Sequence, residues 1–262
     1  MSGAFVEAIG LVAPGLPSWR DAQPVLRGAT AYVPASVGTV QSALLPANER
    51  RRAPLGVRLA LRAAQDAAAE STLAPATLAS VFASSDADIE IIHRICFALT
   101  DTARAVSPTD FHNSVHNAAS GYWSIGTTSR GASSAVSAYD FNLAAGLRET
   151  LALVSCEDTD ALLVLYDVPP PPPLYIKRPV AQPAAVALLL ARARTSHTIA
   201  RIALCDATDE DTMRDEGLEE LRRANPAARA LPLLAAMAAR RSAVIGVRQY
   251  DDRCIGIRVE AA

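Results

Sequence analysis

The stretch SSAVSAYDFNLAAGL, residues 133–147, predicts a short buried strand that runs straight into a helix. Many enzymes present a nucleophile at a sharp strand-to-helix corner, and the residue at this corner is Asp140. Asp is among the best helix N-caps, and its charge suits the positive end of a helix. A thiolate attacks an acyl thioester readily, whereas a carboxylate does not. We therefore expect Asp140 to cap the following helix, with catalysis as the alternative.

Two further pairs of residues have spacings that could support chemistry. His93 and Cys96, three residues apart, could form a dyad, but Cys96 lies in an apolar stripe, where cysteine acts as a small hydrophobe. His112 and His116 have the i,i+4 spacing of a helical two-histidine metal site. No Glu follows the first histidine, and no third ligand is near in sequence. We expect neither a dyad nor a metal site, and no cofactor.

The composition restricts the class of protein. Half of the 262 residues are hydrophobic, 20% are charged and the formal net charge is −2, which predicts a sizeable core and no nucleic-acid-binding surface. The cysteines are widely spaced without a CxxC motif, which excludes a disulfide framework or zinc cluster. The segment MSGAFVEAIGLVAPG has no basic region and includes Glu7, so it predicts neither a signal peptide nor a membrane span. We expect a protein of the reducing cytoplasm without membrane insertion.

Strand and helix patterns alternate along the chain, which predicts an α/β protein with a mostly buried sheet. Strands are predicted at residues 4–15, 78–85, 133–139 and 161–167, and helices at 53–70, 86–101 and 107–121. Residues 16–47 are predicted to be irregular, and the proline-rich segment 168–183 to be a stiff loop. Residues 185–193 and 197–207 predict an antiparallel pair. Two helices at 208–226 and 231–241 and a hairpin turning at Asp251 and Asp252 complete the chain.

Local signals support two of the helices. Ser107 as N-cap, Pro108 at the first helical position and Asp110 at the third predict a helix start that resembles a capping box, with Gly121 closing or bending the helix. Arg62 and Asp66 lie four residues apart and can form an ion pair on the solvent face of their helix.

Residues 103–150 contain VSPTDFHNSVHNAASGYWSI and then GASSAVSAYDFNLAAGL. With its Ser-Pro opening, an Asn before small residues and a strand leading into a helix, this segment resembles the beta-ketoacyl synthases of the thiolase fold. The preceding strand VFASSD and the opening IGLVAPG match the same half of that fold. The resemblance implies a thiolase-like α/β fold, with layered helices around a mixed sheet, for residues 1–205. Residues 206–262 would form a short C-terminal α+β extension of helices and a β-hairpin, packed on the same domain.

The chain departs from the family pattern in two ways. Aligned from Gly131 through the helix, the family's nucleophilic Cys falls on Asp140. The family's two catalytic histidines lie in its C-terminal half, and here no histidine follows His197. The chain therefore resembles the truncated, chain-length-factor-like partners of ketosynthases in aryl polyene pathways.

The resemblance also implies a dimer interface. In this fold the nucleophile-bearing strands of two subunits pair across the dimer axis, which places residues 133–139 there. The implied interface residues are Ser134, Val136, Ala138, Asn117 and Trp123. Tyr122 and Trp123 are most simply core or interface residues, with contact to a bound ligand as a further alternative.

Three functions remain open at this point. The first is a non-catalytic subunit that pairs with a full-length ketosynthase, with an acyl carrier protein as a possible further partner, and helps to set acyl-chain length. The second is a short thiolase-like acyltransferase or hydrolase that uses Cys96 or Asp140. The third is a free-standing acyl-binding protein. The loss of both the nucleophile and the histidine-bearing half favours the first.

Overall fold

The computed structural model describes residues 3–262, which are organised around one eight-stranded mixed sheet. The strands are β1 (Ala4–Val12), β2 (Ala79–Ala83), β3 (Ser133–Val136), β4 (Ala161–Asp167), β5 (Ala184–Ala191), β6 (Ala200–Cys205), β7 (Ala243–Tyr250) and β8 (Arg253–Ala261). Their order across the sheet is β3-β2-β4-β5-β1-β6-β8-β7. Strands β3 and β7 therefore form its two edges.

Ten α-helices connect and cover these strands. They are α1 (Trp19–Leu26), α2 (Ala47–Arg52), α3 (Leu55–Ala69), α4 (Ile89–Thr100), α5 (Pro108–Asn113), α6 (Ala118–Thr127), α7 (Asn142–Cys156), α8 (Pro172–Tyr175), α9 (Glu216–Ala224) and α10 (Leu231–Ala238). Three short 3-10 helices lie at Pro75–Thr77, Tyr139–Phe141 and Ala227–Ala230. No helix within residues 3–262 is both long and apolar enough to cross a membrane.

The central strands are apolar along their whole length because both faces of the sheet are covered. Every residue of β2, β4 and β5 is buried, which is typical of strands in a sheet with helices on each side. Helices α3 and α6 pack on one face, and α1, α7, α9 and α10 pack on the other. Neither face of the sheet is left open. Of its two edges, β7 is partly covered, because the backbone of Gly246 is hydrogen-bonded to Asp211.

Strand direction divides the sheet into two parts. Strands β2, β3 and β4 are mutually parallel, and the other pairings are antiparallel. The predicted antiparallel pairing of residues 185–193 with 197–207 is wrong, because β1 lies between β5 and β6 and pairs with both. An apolar strand of nine residues from the start of the chain thus competes successfully with the local hairpin.

Most predicted elements are confirmed with shorter bounds, including the opening strand, the helix at 53–70 and the hairpin that turns at Asp251 and Asp252. The Arg62–Asp66 ion pair is formed at 2.8 Å, and the Ser107 hydroxyl accepts a hydrogen bond from the Asp110 amide. The C-terminal hairpin extends the same sheet through β6. The division of the chain at residue 205 stays a prediction.

Three local predictions are wrong. Residues 16–47 contain helix α1, which includes Pro24 within its eight residues. Gly121 neither ends nor interrupts its helix, since α6 continues to Thr127 and the break falls between α5 and α6. The apolar stripe of α4 does not face the core, because Ile91 is the one buried residue of that helix.

Gly10 marks the closest approach of helix α3 to the sheet. A Cβ atom at Gly10 would lie 1.9 Å from the Ala63 carbonyl oxygen, which is backbone and cannot rotate away. The Gly10→Ala protein should therefore lose about 2 kcal/mol or more of its free energy of unfolding through overpacking.

Gly121→Ala is the matched control, because no heavy atom lies within 4 Å of the added methyl group and the residue is helical. It should gain about 0.5–1 kcal/mol. Denaturant unfolding of both variants measures the two effects. Equal stability of the two variants would contradict the close approach.

Candidate functional site

The carboxyl ends of the parallel strands β2, β3 and β4 meet at one end of the sheet, the place where α/β proteins usually build their sites. Strand β3 ends at Val136, and the chain turns through a 3-10 helix, Tyr139–Phe141, into α7. Tyr139 at the turn has φ +55°, in the left-handed region that non-glycine residues rarely adopt. The predicted strand-to-helix corner is therefore present and is sharply bent.

Asp140 does not cap helix α7, so that prediction is wrong. The N-cap position is Phe141, which offers no side-chain hydrogen bond to the helix. The corner is held instead by the buried Asn142, whose side-chain oxygen accepts a hydrogen bond from the Ala138 amide at 2.8 Å. Asp140 lies inside the 3-10 turn, one residue too early to meet the free amides of α7.

Two arginines bind the Asp140 carboxylate. Its Oδ1 atom lies 2.6 Å from Nη1 of Arg178, and its Oδ2 atom lies 3.4 Å from Nη2 of Arg229. Arg178 comes from the proline-rich loop and Arg229 from the 3-10 helix before α10. The Arg178 guanidinium also stacks on the Tyr139 ring, 4.0 Å from its centroid. Both guanidinium groups are largely buried, so these contacts are shielded from solvent.

These contacts are part of a longer chain of alternating charges, here called the Asp140 network: Asp86, Arg178, Asp140, Arg229, Glu210 and Arg222. Arg178 reaches Asp86 at 2.9 Å, Arg229 reaches Glu210 at 3.3 Å, and Glu210 pairs with Arg222 at 2.8 Å. Burial alone would lower the pKa of Arg178, but the hydrogen bonds that it donates to Asp140 and Asp86 outweigh burial and raise that pKa. Arg178 therefore stays charged at neutral pH.

Beyond Arg222 the network continues to Glu219, which also pairs with Arg223 at 2.7 Å. Hydrogen bonds from Arg222 lower the pKa of Glu219 to about 2. The carboxylate also accepts a hydrogen bond from the Met213 amide at 3.0 Å, which ties helix α9 to the segment before it.

Behind the Asp140 network lies Asp167, which is fully buried at the end of β4. One oxygen of its carboxyl group accepts hydrogen bonds from the Ser84 hydroxyl at 3.1 Å, the Ser85 amide at 2.9 Å and the Ser85 hydroxyl. Burial raises the pKa of Asp167 to about 7, against the lowering effect of these hydrogen bonds. Asp167 thus holds the segment that presents Asp86 to Arg178.

Both oxygens of the Asp140 carboxylate are paired at the corner. Within residues 3–262, the hydrogen-bond and ion-pair partners of Asp140 are the two guanidinium groups. A carboxylate is a weak nucleophile toward thioesters. Two bound guanidinium groups lower its nucleophilicity further, because they stabilise its negative charge. The geometry is that of a structural ion pair placed at a corner where related folds position reactive groups.

The chain matches the family model of the beta-ketoacyl synthase N-terminal domain over residues 27–248. This chain belongs to that family. The match runs through the Asp140 corner, the proline-rich loop and both helices that follow β6, so the whole Asp140 network lies inside the family domain. No curated protein sequence matches the chain.

Solved structures show the same fold. The chain aligns with a TM-score of 0.75 and 21% identity to a chain of the ketosynthase ApeO in complex with its chain length factor ApeC from Xenorhabdus doucetiae, covering 98% of this chain and 99% of that one. A chain of the AntDE:AntF complex aligns at 0.75 with 10% identity, covering 100% and 99%. A chain of the ishigamide ketosynthase/chain length factor aligns at 0.71 with 12% identity, covering 98% and 99%. The thiolase-like ketosynthase fold of this family member is therefore established.

The other residues singled out from the sequence lie apart from the corner. Cys96 is exposed on the outer helix α4, which packs on α5 rather than on the sheet. His112 contacts the Tyr122 ring edge-on, whereas Nε2 of His116 lies 3.0 Å from the Ser84 carbonyl oxygen. Because α5 ends at Asn113, the two histidines are not on one helix. In the part of the chain that the structure describes, no three His, Cys, Asp or Glu side chains cluster as a metal site would require.

The implied interface residues separate into two groups. Ser134, Val136 and Ala138 are half-buried along or just after the edge strand β3, and Asn117 is exposed before α6. Trp123 is fully buried inside the core formed by α3, α6 and the sheet. Its assignment to an interface is wrong, because its ring is covered by this chain alone.

Removal of the Asp140 charge tests whether the residue acts through its ion pairs. Asp140→Asn and Asp140→Ser should each cost about 1.5–3 kcal/mol of stability, because they leave Arg178 and Arg229 with a lost or weakened partner. Both substitutions would be tolerated if the residue were a cap, since Asn and Ser also cap helices.

The matched control is Asp158→Asn, which removes an exposed ion pair with Arg192 and should cost less than about 1 kcal/mol. Asp158 also has a positive φ, which Asn tolerates, so the control adds no backbone strain. Chemical denaturation of the three variants measures the costs. A stability of the Asp140 variants equal to that of wild type would contradict the network.

The raised pKa of Asp167 predicts a pH dependence of stability. An acid whose pKa is raised by folding binds its proton more tightly in the folded state, so its contribution is favourable at low pH. That contribution is lost as the pH rises from the ordinary value of 3.8 through about 7. Asp167→Asn, which keeps an acceptor for Ser85, should therefore gain stability relative to wild type between pH 5 and pH 8. Unfolding midpoints across this range measure the difference, and parallel curves for the two proteins would refute it.

Proposed function

We propose that this chain is a non-catalytic, chain-length-factor-like subunit that pairs with an active beta-ketoacyl synthase in fatty-acid or polyketide biosynthesis of the aryl polyene type. One observation carries the proposal. At the corner where the family's nucleophilic Cys aligns, this chain has Asp140, and that carboxylate is bound by Arg178 and Arg229.

Condensation chemistry needs groups that this corner does not supply. The acyl-transfer step of a ketosynthase requires a thiolate that attacks a thioester, and a carboxylate held between two guanidinium groups cannot replace it. The site therefore supports a subunit that binds a catalytic partner and does not itself catalyse condensation.

The edge strand β3 is the proposed surface for pairing with the ketosynthase. It hydrogen-bonds to β2 on one side, and its other side carries the unpaired backbone groups of a sheet edge. Such edges pair readily with another strand or aggregate if they remain open. Ser134, Val136, Ala138 and Asn117 are the proposed interface residues.

Helix α6 packs beside β3. Helices α4, α5 and α6 carry exposed apolar side chains, which we include in the proposed interface. Phe97 and Phe111 are each 71% exposed and Ile125 is 69% exposed. Large aromatic and aliphatic groups at this exposure are costly in water and are typical of protein–protein contacts. The edge strand and these side chains together give a surface that suits a permanent heterodimer, which buries on the order of 2,000 Å² or more.

The structural neighbours support this assignment. Two of them are complexes of a ketosynthase with a chain length factor, and a third contains an acyl-carrier protein bound to its ketosynthase. In each, the matched chain is covered over 99% of its length, so its size is close to that of this chain. An acyl carrier protein is accordingly proposed as a further partner, and the cytoplasm as the location.

The proposal is tested by co-expression with a full-length ketosynthase. Size-exclusion chromatography with light scattering should show a one-to-one complex. Val136→Asp should abolish it, because a charge would be buried where the two strands pair. Ala135→Arg, at an exposed position of the same strand, should do the same without disturbing the core.

The control is Val244→Asp on β7, the opposite edge of the sheet, where the valine is exposed. This variant should keep the complex. The interface proposal fails if the β3 variants still bind, or if the wild-type chain is a well-behaved monomer that does not bind the ketosynthase.

A further inference from the structure

Tyr139 is an exposed aromatic residue whose backbone conformation disfavours a large side chain. It lies three residues beyond the end of β3, and its φ of +55° falls in the left-handed region, where glycine and asparagine are far more common. Strained conformations of this kind recur at binding sites. The residue is also 54% exposed, so packing within this chain does not explain why an aromatic ring occupies the position.

The backbone on both sides of Tyr139 is fixed by hydrogen bonds. The Val136 carbonyl oxygen, at the end of β3, accepts a hydrogen bond from the Ser84 amide at 3.1 Å. Beyond β3, the Ala138 amide donates to the side-chain oxygen of Asn142 at 2.8 Å. The main chain therefore sets the position of the tyrosine relative to the edge strand, and none of these hydrogen bonds involves the ring.

Arg178 holds the Tyr139 ring in place. Its guanidinium carbon lies 4.0 Å from the ring centroid, within the range of a cation–π contact. The guanidinium is largely buried and is itself fixed by Asp86 at 2.9 Å and Asp140 at 2.6 Å. A ring that is already stacked on a fixed group loses little conformational entropy when another protein binds it. Tyrosine is also enriched among the residues that dominate binding energy at protein interfaces.

We infer that Tyr139 is an anchor of the heterodimer interface, a side chain held in its bound conformation before the partner arrives. Its ring inserts into an apolar pocket of the ketosynthase that pairs with β3, and Arg178 is a positioning residue that acts through the ring. This inference rests on the proposed function and adds a residue to the proposed interface.

The choice of partner follows from the distance between Tyr139 and β3. Three residues span at most about 11 Å of chain. An interface that buries about 1,000 Å² on each partner extends roughly 18 Å from its centre. A subunit that pairs with β3 over an interface of this size therefore reaches the corner that carries Tyr139.

The test uses the co-expressed heterodimer and measures its dissociation constant by sedimentation after dilution. Tyr139→Gly and Tyr139→Asn remove the ring, and both residue types accept a φ of +55°. Each should raise the dissociation constant at least tenfold while the circular dichroism spectrum of the complex stays that of wild type. Tyr139→Phe keeps the ring and its stacking, and should bind within threefold of wild type.

Arg240→Gly is the control for the change in backbone conformation. Arg240 is exposed, follows helix α10 and has a φ of +48°, so the substitution relieves the same conformation as Tyr139→Gly does. The residue lines a cleft to which neither β3 nor the corner contributes a residue. The control should therefore keep the dissociation constant of wild type.

Arg178→Lys tests the positioning role. Lysine keeps a positive charge beside Asp86 and Asp140 but lacks the flat guanidinium that stacks on the ring. The substitution should weaken the wild-type complex at least threefold and should have no further effect in the Tyr139→Asn chain. An equal effect in both backgrounds would show that Arg178 does not act through the ring.

The outcomes separate this inference from the proposed function. If wild type forms a heterodimer and both Tyr139→Gly and Tyr139→Asn keep its dissociation constant, the anchor role is overturned and the proposed function stands. It is also overturned if Arg240→Gly weakens the complex as much as Tyr139→Gly does. If wild type forms no complex with the ketosynthase, the proposed function fails, and the inference fails with it.

Discussion

The ion pair between Asp140 and Arg178 is the constraint on which the candidate site depends. It joins the corner after β3 to a proline-rich loop that lies 38 residues away in sequence. Arg229 extends the connection to a segment 89 residues from Asp140. Burying a charged side chain without a partner costs desolvation free energy. Here each acidic side chain is paired with an arginine, and this pairing offsets the cost only while every member of the network is present. The corner, the loop and the C-terminal helices therefore hold one another in place.

This constraint explains how the strand-to-helix corner is held with an aspartate at residue 140. The bend at Tyr139 and the Asn142 contact are backbone features, and they do not depend on the group presented at residue 140. A partly buried carboxylate there would lack a counter-charge on its own, and the two arginines supply it. The edge strand β3 and the exposed apolar side chains of α4, α5 and α6 form the surface proposed for a partner.

The elements that sequence predicts well are those whose signal is local. The fully apolar runs of β2 and β4, the periodicity of α3 and the Ser107 cap each depend on neighbours within a few residues. Helix α1 was not predictable in this way, since Pro24 within it signals a break. The insertion of β1 between β5 and β6 and the exposed stripe of α4 depend on which surface is free after the rest has packed.

In the candidate site, too, the features set by nearby residues are predictable and those set by distant residues are not. The resemblance identifies Asp140 as the residue at the nucleophile position, but its capping role is wrong, and its true partners lie too far along the chain for any spacing rule to find them. Arg178 follows a proline run with no recognisable motif, and Arg229 lies in an alanine-rich turn. Trp123 shows the limit of residue type alone, because a tryptophan suits a core and an interface equally well until its burial is known.

The most direct test of the central claim is intact-mass spectrometry of the co-expressed pair after incubation with an acyl-carrier thioester. The account predicts one acyl group per heterodimer, attached to the ketosynthase, with this chain unmodified. A stable acyl adduct on this chain, mapped to Asp140 or Cys96, would contradict it.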